Sequence, residues 1–124
     1  MKILFLIALG GGLGTGFRFV VMRYLNHRFP GFPYGTLLVN VLGSFLAGLI
    51  YMAARRQLVE AETFLPLILV GFIGAFTTFS TYALESMRML MHRKFAKGLL
   101  NIIVMNATGM AAVYAGVALG GYWC

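Results

Sequence analysis

The chain has 124 residues, of which 60% are hydrophobic and only 10% are charged, against about 25% charged residues in a typical soluble domain. This composition excludes an ordinary soluble globular domain and predicts a single domain that crosses a membrane. The formal net charge is +7, but the basic residues lie between apolar stretches, which favours charges that orient membrane helices over a nucleic-acid surface.

Four apolar stretches predict four transmembrane helices, each long enough to span a bilayer at about 1.5 Å per residue. The stretch at the N-terminus is interpreted as the first of these helices, because no polar mature chain follows it as it would follow a signal peptide. The predicted ranges are 3–24, 34–54, 65–91 and 99–122.

The first helix contains a run of glycines and one arginine. Gly12 and Gly16 lie four residues apart on one face, which predicts close approach of a neighbouring helix. Arg18 lies about a turn and a half inside the predicted end of the helix. Two interpretations of this arginine stay open: it reaches back to the membrane interface, or it lines a vestibule.

The second and fourth helices each carry an asparagine among apolar residues. Asn40 and Asn106 carry amides that are costly in a membrane unless they are hydrogen-bonded, so both are predicted to face protein or water. Asn40 either joins helices or donates to a ligand. Small residues for tight helix packing are Gly43 and Gly48 in the second helix, and Gly116 and Gly120 in the fourth.

The third helix has polar and aromatic side chains at its middle, in the stretch Gly-Phe-Ile-Gly-Ala-Phe-Thr-Thr-Phe-Ser-Thr-Tyr at 71–82. In an unbroken helix its four hydroxyls point in several directions, and one dry interface does not satisfy them. Two glycines and four hydroxyls that compete for backbone hydrogen bonds therefore predict a local break. The carbonyl oxygens freed there must face protein or a wet cavity and can hold a cation. The simpler alternative is that each hydroxyl bonds to a carbonyl of its own helix.

Titratable residues are few. Glu85 and Arg88 lie three residues apart on one helix face, which predicts that they neutralise each other. His27 and His92 lie at helix ends, and no acid–base pair or nucleophile constellation accompanies them, so an enzyme is not predicted. Cys124 stands alone and cannot form an intrachain disulfide.

Four helices of about twenty residues leave little room for a polar route inside one subunit. A route that uses the polar groups of the third helix therefore predicts an obligate oligomer.

Three motifs together resemble the Fluc (CrcB) fluoride channels. They are Gly-Gly-Leu-Gly-Thr-Gly-Phe-Arg-Phe at 11–19, Gly-Thr-Leu-Leu-Val-Asn at 35–40 and the stretch at 71–82, which is highly specific. The resemblance covers all four helices. It implies an all-α membrane protein of the cell inner membrane, with four helices per subunit, a broken third helix and an antiparallel dual-topology dimer. Two fluoride pores, a structural sodium ion between the two breaks, and passive efflux that confers fluoride resistance are also implied.

The resemblance implies roles for individual residues. The backbone carbonyls of Gly74 and Thr77 would bind Na⁺. Arg18 would lie near a vestibule and Glu85 near a pore end. The pore would be lined by Asn40 as a donor to fluoride, by the rings of Phe79 and Tyr82, and by the polar groups of Ser80, Thr81 and Asn106.

The sequence departs from the family pattern at two places. The family usually has a second phenylalanine where this chain has Tyr82, which keeps a positive ring edge and adds a hydroxyl. The family often has a hydroxyl directly after the glycine that matches Gly109, where this chain has Met110. We expect Thr108 to compensate for that missing hydroxyl.

The basic residues are distributed unevenly between the two sides of the predicted bundle. Six lie on one side and three on the other, a bias that the positive-inside rule converts into a preferred orientation with the N-terminus outside. The sequence-based expectation is a homodimer, with pairing to an oppositely oriented paralogue as the alternative. The six are Arg23, Arg28, Arg88, Arg93, Lys94 and Lys97, and the three are Lys2, Arg55 and Arg56.

Two other functions fit the size of the chain. A small four-helix drug/proton antiporter needs a titratable carboxylate in the membrane, usually in the first helix, and this sequence has none there. A non-transporting membrane assembly subunit would use the polar motif only to hold helices together.

Overall fold

The computed structural model describes residues 1–123, and within this range the chain is helical with short connections and no strand. The residue Cys124, for which no intrachain disulfide is predicted, lies outside the described residues. The helices are α1 (Lys2–Arg28), α2 (Tyr34–Arg55), α3 (61–76), α4 (Phe79–Met91) and α5 (Phe95–Trp123).

Four segments are long and apolar enough to cross a membrane, with α3 and α4 together forming the third span. The predicted all-α architecture is thereby confirmed, and the four spans make the chain a multi-pass membrane protein. The connection between α1 and α2 contains Pro30 and Pro33, which cannot donate the hydrogen bonds that a continuous helix needs. The segments are Lys2–Arg28, Tyr34–Arg55, Ala61–Met91 and Phe95–Tyr122.

The predicted break in the third span is present between α3 and α4. Thr77 (φ −80°, ψ 158°) and Thr78 (φ −152°, ψ 111°) are both extended, so helical hydrogen bonding stops there. The side chain of Thr78 then caps α4 by accepting from the backbone N–H of Thr81 at 3.2 Å. The simpler alternative holds only locally, since the Thr77 hydroxyl donates to the carbonyl of Ile73 at 3.1 Å.

Upstream of the break, α3 is wound as a π-helix over Leu65–Ile73. Hydrogen bonds in a π-helix skip one more residue than in an α-helix, so each turn is wider. Pro66 lies in the first turn of this stretch, where its missing N–H removes one helical donor. The apolar pattern of the sequence predicts a membrane span here, but it does not distinguish π-helical from α-helical winding.

The glycines that let α1 approach α3 are not the predicted pair. A Cβ atom added at Gly10 would collide with the carbonyl oxygen of Leu67, and one added at Gly14 would collide with that of Phe72. A Cβ atom at Gly12 or Gly16 would meet nothing within 4 Å. The spacing of four residues was correctly identified, but the face was wrong, because the run of glycines offers two such pairs and only packing selects between them.

The tight packing predicted at Gly48, Gly116 and Gly120 is confirmed, and the structure shows that these glycines bring α2 and α5 together. A Cβ atom at Gly48 would collide with the carbonyl oxygen of Val113, and one at Gly116 would collide with that of Phe45. One at Gly120 would lie 2.9 Å from the Cβ atom of Met52. The two backbones therefore meet directly, which is how membrane helices gain packing energy without a hydrophobic drive.

We expect Gly116→Val to destabilise the subunit strongly. The valine side chain would need the α2 backbone to retreat, and overpacking of this kind costs about 3 kcal/mol when backbone must move. Thermal unfolding of the purified protein in detergent measures the effect. Gly12→Val is the matched control, because its side chain would enter open space; equal destabilisation of both variants would contradict this account.

Polar side chains also join α4 to α5 in the interior. Asn101 is fully buried, and its Nδ2 donates to the Ser86 hydroxyl at 2.9 Å. The Ser86 hydroxyl donates in turn to the carbonyl of Tyr82 at 2.8 Å. This chain of bonds fixes how α4 is rotated about its axis, and therefore which α4 side chains face the break.

Candidate functional site

The Asn40 side chain forms a two-point clamp on the break. Its Oδ1 accepts from the backbone N–H of Thr78 at 2.7 Å, and its Nδ2 donates to the carbonyl oxygen of Thr78 at 3.0 Å. Because the neighbouring backbone is extended, both polar groups of Thr78 need a partner other than a helix neighbour. One amide side chain on α2 supplies both partners. Asn40 therefore joins helices, which is one of its two predicted roles.

The Asn40 amide has a second N–H that does not bond to Thr78. Its Nδ2 also lies 3.5 Å from the sulfur of Met105, which is a weak acceptor. The amide is therefore held in one orientation by Thr78, while one donor is engaged only by sulfur. The structure thus leaves room for the other predicted role, donation to a ligand.

The side chain of Thr78 is the centre of a hydroxyl cluster at the start of α4. Thr78 is only 6% exposed, and its hydroxyl donates to that of Thr81 at 3.0 Å and lies 3.3 Å from that of Ser80. The cluster is built around the α4 N-cap, so the same atoms that end the break also present hydroxyls to its surroundings.

One cavity of about 430 Å³ lies on one side of the break. It brings together four of the predicted pore residues, although these come from three helices. Its polar and aromatic lining includes Asn40, Thr77, Thr78, Phe79, Tyr82 and Asn106.

The two predicted aromatic residues occupy very different environments in this cavity. Their rings meet edge to face, with centroids 5.3 Å apart and planes inclined at 68°. Tyr82 is 8% exposed, whereas Phe79 is 77% exposed and projects away from its own subunit. Exposed apolar side chains are common on this membrane-spanning chain, and Phe79 differs from most of them in lining a polar cavity.

The hydroxyl of Tyr82, the first departure from the family pattern, has a defined partner. Asn106 Nδ2 donates to it at 2.9 Å and also donates to the carbonyl of Ile102 at 2.7 Å. The Tyr82 oxygen therefore accepts from α5, and its own proton stays available to donate into the cavity.

The remaining predicted lining residues lie in a second cavity, also of about 430 Å³, on the other side of α4. Ser80, Thr81 and Arg18 line it together with Thr15 and Arg23, and Thr78 lines both cavities. The resemblance implied one pore lining for Ser80 and Thr81 together with the residues of the first cavity, and a separate vestibule for Arg18. The structure instead places Ser80 and Thr81 in the same cavity as Arg18, on the other face of the first turn of α4.

Arg18 points to the break rather than only to a membrane surface. Its Nη1 lies 3.4 Å from the carbonyl oxygen of Thr77, and the side chain also lines the second cavity. This bond is at the long end of the hydrogen-bonding range, so it leaves the oxygen open to a further partner. Of the two open interpretations, the structure favours a role inside the protein.

The carbonyl groups of Gly74 and Thr77 lack their usual helical donors. The N–H of Thr78, which would bond to Gly74 in a helix, donates to Asn40 instead. The N–H of Thr81, which would bond to Thr77, donates to the Thr78 side chain. Carbonyl oxygens at the C-terminal end of a helix carry partial negative charge, so this pair suits a hard cation.

Glu85 is satisfied differently from the prediction. Its Oε1 accepts from the hydroxyl of Thr36 at 2.9 Å, and Oε2 is buried without a hydrogen-bond partner in the described residues. The hydrogen bond of this carboxylate comes from α2, and Arg88 on the same helix acts on it through charge alone. The Glu85 side chain instead turns towards α2, where Thr36 lies one helical turn before Asn40.

Thr36 and Thr78 are site residues for which the sequence predicted no role. Thr36 is fully buried and bonds to Glu85, while Thr78 organises the break. A signal for Thr36 was available, because it lies four residues before Asn40 and so shares its helix face. The sequence shows Thr78 as one of four clustered hydroxyls, but its capping role depends on where the break begins.

Thr108 does not compensate for Met110, contrary to the expectation. Its hydroxyl donates to the carbonyl of Val104 at 2.6 Å, and its side chain lines a different groove from the one beside the break. Ser44, on α2, takes the place expected for Thr108: it lines the cavity beside Met110, and its hydroxyl oxygen would lie 3.8 Å from a Cβ atom built at Gly109.

The chain is similar to proteins of one known family over nearly its whole length. Residues 5–117 match the family described as CrcB-like protein, Camphor Resistance (CrcB). The chain is 41% identical over 120 residues to the fluoride-specific ion channel FluC of Shewanella baltica, covering 96% of both chains. It is 40% identical to that of Photobacterium profundum (91% of this chain, 90% of the other) and 39% identical to that of Magnetococcus marinus (92% and 94%).

Proposed function

The chain belongs to the CrcB-like family, and from this membership we propose that it is a fluoride-selective channel through which fluoride leaves the cytoplasm passively. Fluoride that enters as hydrofluoric acid from acidic surroundings ionises inside the cell, and the channel lets the anion out again, which reduces its toxicity. The observation that carries this proposal is the cavity at the break, where neutral donors and aromatic ring edges converge within the membrane span.

The chemistry of the cavity suits fluoride in particular. Fluoride is small and strongly hydrated, so a pore must replace its water with donors that do not trap it. The proton of the Tyr82 hydroxyl and the sulfur-facing N–H of Asn40 are neutral donors of this kind. The ring of Phe79 adds a positive edge. Fixed cations are kept to the second cavity, where Arg18 and Arg23 would draw anions towards the break.

A sodium ion at the break is a further part of the proposal. The residues fit it: Gly74 and Thr77 would hold the cation through carbonyl oxygens that have lost their helical donors. When bound, the ion would supply a fixed positive charge that neutralises the end of α3. Two carbonyls are fewer oxygen ligands than a hard cation takes, so a second subunit would complete its coordination.

We propose that the functional unit is an antiparallel homodimer. The exposed ring of Phe79 and the uncovered backbone of Gly74 both lie on the surface that a second copy would cover. The two cavities on opposite faces of α4 also suit a dimer, since a twofold axis places one face of each subunit against the other. The charge bias of six basic residues to three keeps pairing with an oppositely oriented paralogue as the alternative.

Fluoride release from liposomes that contain the purified protein tests the channel function. We expect rapid fluoride efflux when potassium is made permeant with valinomycin, and no chloride efflux under the same conditions. A drug/proton antiporter would instead depend on a pH gradient, and a non-transporting assembly subunit would release neither anion. Absent fluoride release, or equal chloride release, would contradict the proposal.

Reporter fusions at the C-terminus test the homodimer. In cells that express this chain alone, we expect comparable amounts of periplasmic and cytoplasmic reporter, because both orientations are needed. A single orientation would overturn the homodimer and favour a paralogue as partner. Exchanging Arg93 and Lys94 for glutamine checks that the readout responds to loop charge, since it removes part of the bias.

A further inference from the structure

An apolar groove lies away from the break, between α1, α2 and α5. It encloses about 640 Å³, which is larger than either cavity beside the break, and it is open to the surroundings of the protein. Its lining is apolar except for the hydroxyls of Tyr34 and Thr108, and the Thr108 hydroxyl donates a hydrogen bond within its own helix. The groove is lined by Leu25, Phe29, Tyr34, Leu37, Leu38, Val41 and Thr108.

The groove does not belong to the surface assigned to the second copy. Leu37, Leu38 and Val41 of α2 face the groove, whereas Asn40 faces the cavity at the break, which the exposed ring of Phe79 also lines. At 100° per residue, these two faces of α2 are roughly 110° apart. The molecule that occupies the groove is therefore not the dimer partner proposed above.

One end of the groove lies where lipid headgroups are expected. Tyr34 packs against Phe29 and Phe32, with ring centroids 6.1 and 5.1 Å apart, and aromatic clusters at helix ends mark the membrane interface. Along α2, Val41 lies about 10 Å deeper than Tyr34, because an α-helix rises about 1.5 Å per residue. The groove thus runs from the interface into the hydrocarbon region.

Two cations stand at the interfacial end. The Arg28 guanidinium lies 5.6 Å from the centroid of the Phe29 ring, which lines the groove. Lys97 donates from Nζ to the carbonyl of Gly31 at 3.3 Å, in the connection that leads to Tyr34. Both side chains are exposed.

No acidic side chain competes for these cations. The chain has three acidic residues. Glu60 lies in the connection after α2 and Glu62 in the first turn of α3, both at the opposite end of the bundle. Glu85 accepts a hydrogen bond from Thr36. The positive charge at the mouth of the groove is therefore available to a ligand.

We propose that this groove binds an anionic phospholipid, with one acyl chain between α1, α2 and α5 and its phosphate between Arg28 and Lys97. The apolar lining suits the acyl chain, and the two cations suit the negative headgroup at the depth where the aromatic cluster lies. A bound lipid would seal the seam between α1 and α2 and hold the connection at 29–33 in place.

Native mass spectrometry of the purified full chain, titrated with dioleoyl phosphatidylglycerol or dioleoyl phosphatidylcholine, tests the proposal. We expect about tenfold tighter retention of the anionic lipid, in line with the attraction of two interfacial cations for negative headgroups. Dihexanoyl phosphatidylglycerol, which has the same headgroup on short chains, should be retained much more weakly, since the groove then stays partly empty. Equal retention of both dioleoyl lipids, or of long and short chains, would overturn the proposal.

Variants assign the retention to this groove. Arg28→Gln with Lys97→Gln should reduce phosphatidylglycerol retention to the level of phosphatidylcholine. Arg55→Gln with Arg56→Gln removes the same charge at the other end and should leave retention unchanged; equal loss in both pairs would show unspecific attraction and overturn the proposal.

Filling the groove tests the acyl-chain half of the proposal. Leu38→Trp should lower retention of both lipids, and Val41→Phe provides a second filling variant should the first not fold. Thermal unfolding in detergent shows whether a variant is folded, independently of the proposed channel function. If a folded filling variant retains the anionic lipid normally, or dissociates into monomers instead, the groove is not a lipid site.

Discussion

Asn40→Ala is expected to reduce fluoride release at least tenfold and to lower thermal stability at the same time. The substitution removes both hydrogen bonds to the backbone of Thr78, which is only 6% exposed. A buried polar group that loses its partner costs about 1–3 kcal/mol, and the membrane offers little water to replace it. Liposome fluoride release and thermal unfolding in detergent measure the two effects.

The double readout separates two roles of the amide. A side chain that only donates to the anion would change fluoride release and leave the unfolding temperature unaltered. The clamp predicts that both fall, because the positions of Thr78 and of the α4 N-cap depend on it. Asn40→Ala with normal release and normal unfolding would contradict either role.

Two further variants sharpen the comparison. Ser44→Ala is the matched control for the unfolding measurement alone, since Ser44 lies one turn further along α2 and makes no hydrogen bond to Thr78 although it lines the same cavity. Asn40→Asp keeps an acceptor for the N–H of Thr78 but sets a carboxylate oxygen against its carbonyl. We therefore expect Asn40→Asp to lose release as completely as alanine does, with added repulsion of the permeant anion.

Phe79→Ile is expected to reduce fluoride release at least tenfold while the subunit stays folded. The ring is 77% exposed in the single chain, so few contacts within the subunit are lost. Isoleucine preserves apolar bulk but has no ring edge for an anion, and aromatic edge interactions of about 1.4 kcal/mol correspond to a factor of ten in rate. Liposome fluoride release at matched protein density measures the effect.

Controls for this variant must address the dimer as well as the fold. Phe5→Ile replaces another exposed phenylalanine, at the far end of α1 from the break, and should leave release unchanged. Size-exclusion chromatography shows whether Phe79→Ile still dimerises. Normal fluoride release by dimeric Phe79→Ile would remove the ring from the proposed pore; loss of the dimer would show that the ring acts first as an interface residue.

The sequence predicted most accurately those features that depend on a single segment. The break at Thr77 and Thr78 was predicted because glycines and hydroxyls weaken helical hydrogen bonding wherever they cluster. The span boundaries fell within a few residues at most ends, although α1 continues to Arg28, past the predicted end at Tyr24. An apolar count locates where a helix enters the membrane and does not detect turns that extend into the polar region.

Predictions about which residues meet were less accurate. The face of α1 was assigned to Gly12 and Gly16, but α3 packs on Gly10 and Gly14. Glu85 was paired with Arg88 on its own helix, and its hydrogen bond to Thr36, 49 positions earlier in the chain, was not predicted. The wrong glycine face and the missing bond have one origin: neighbours on the same helix can be read from spacing, whereas neighbours on another helix require the rotation of both.

By itself, the sequence determined that the chain crosses the membrane four times, that the third span is interrupted, and which residues stand at the interruption. These properties follow from apolar length and local backbone preference, which act within a few turns of helix. Only the tertiary structure decided that Asn40 clamps Thr78, that Phe79 stays bare, and that two cavities flank α4. Those arrangements depend on how helices rotate against one another, and this rotation is set by close contacts along whole helices, which no single segment encodes.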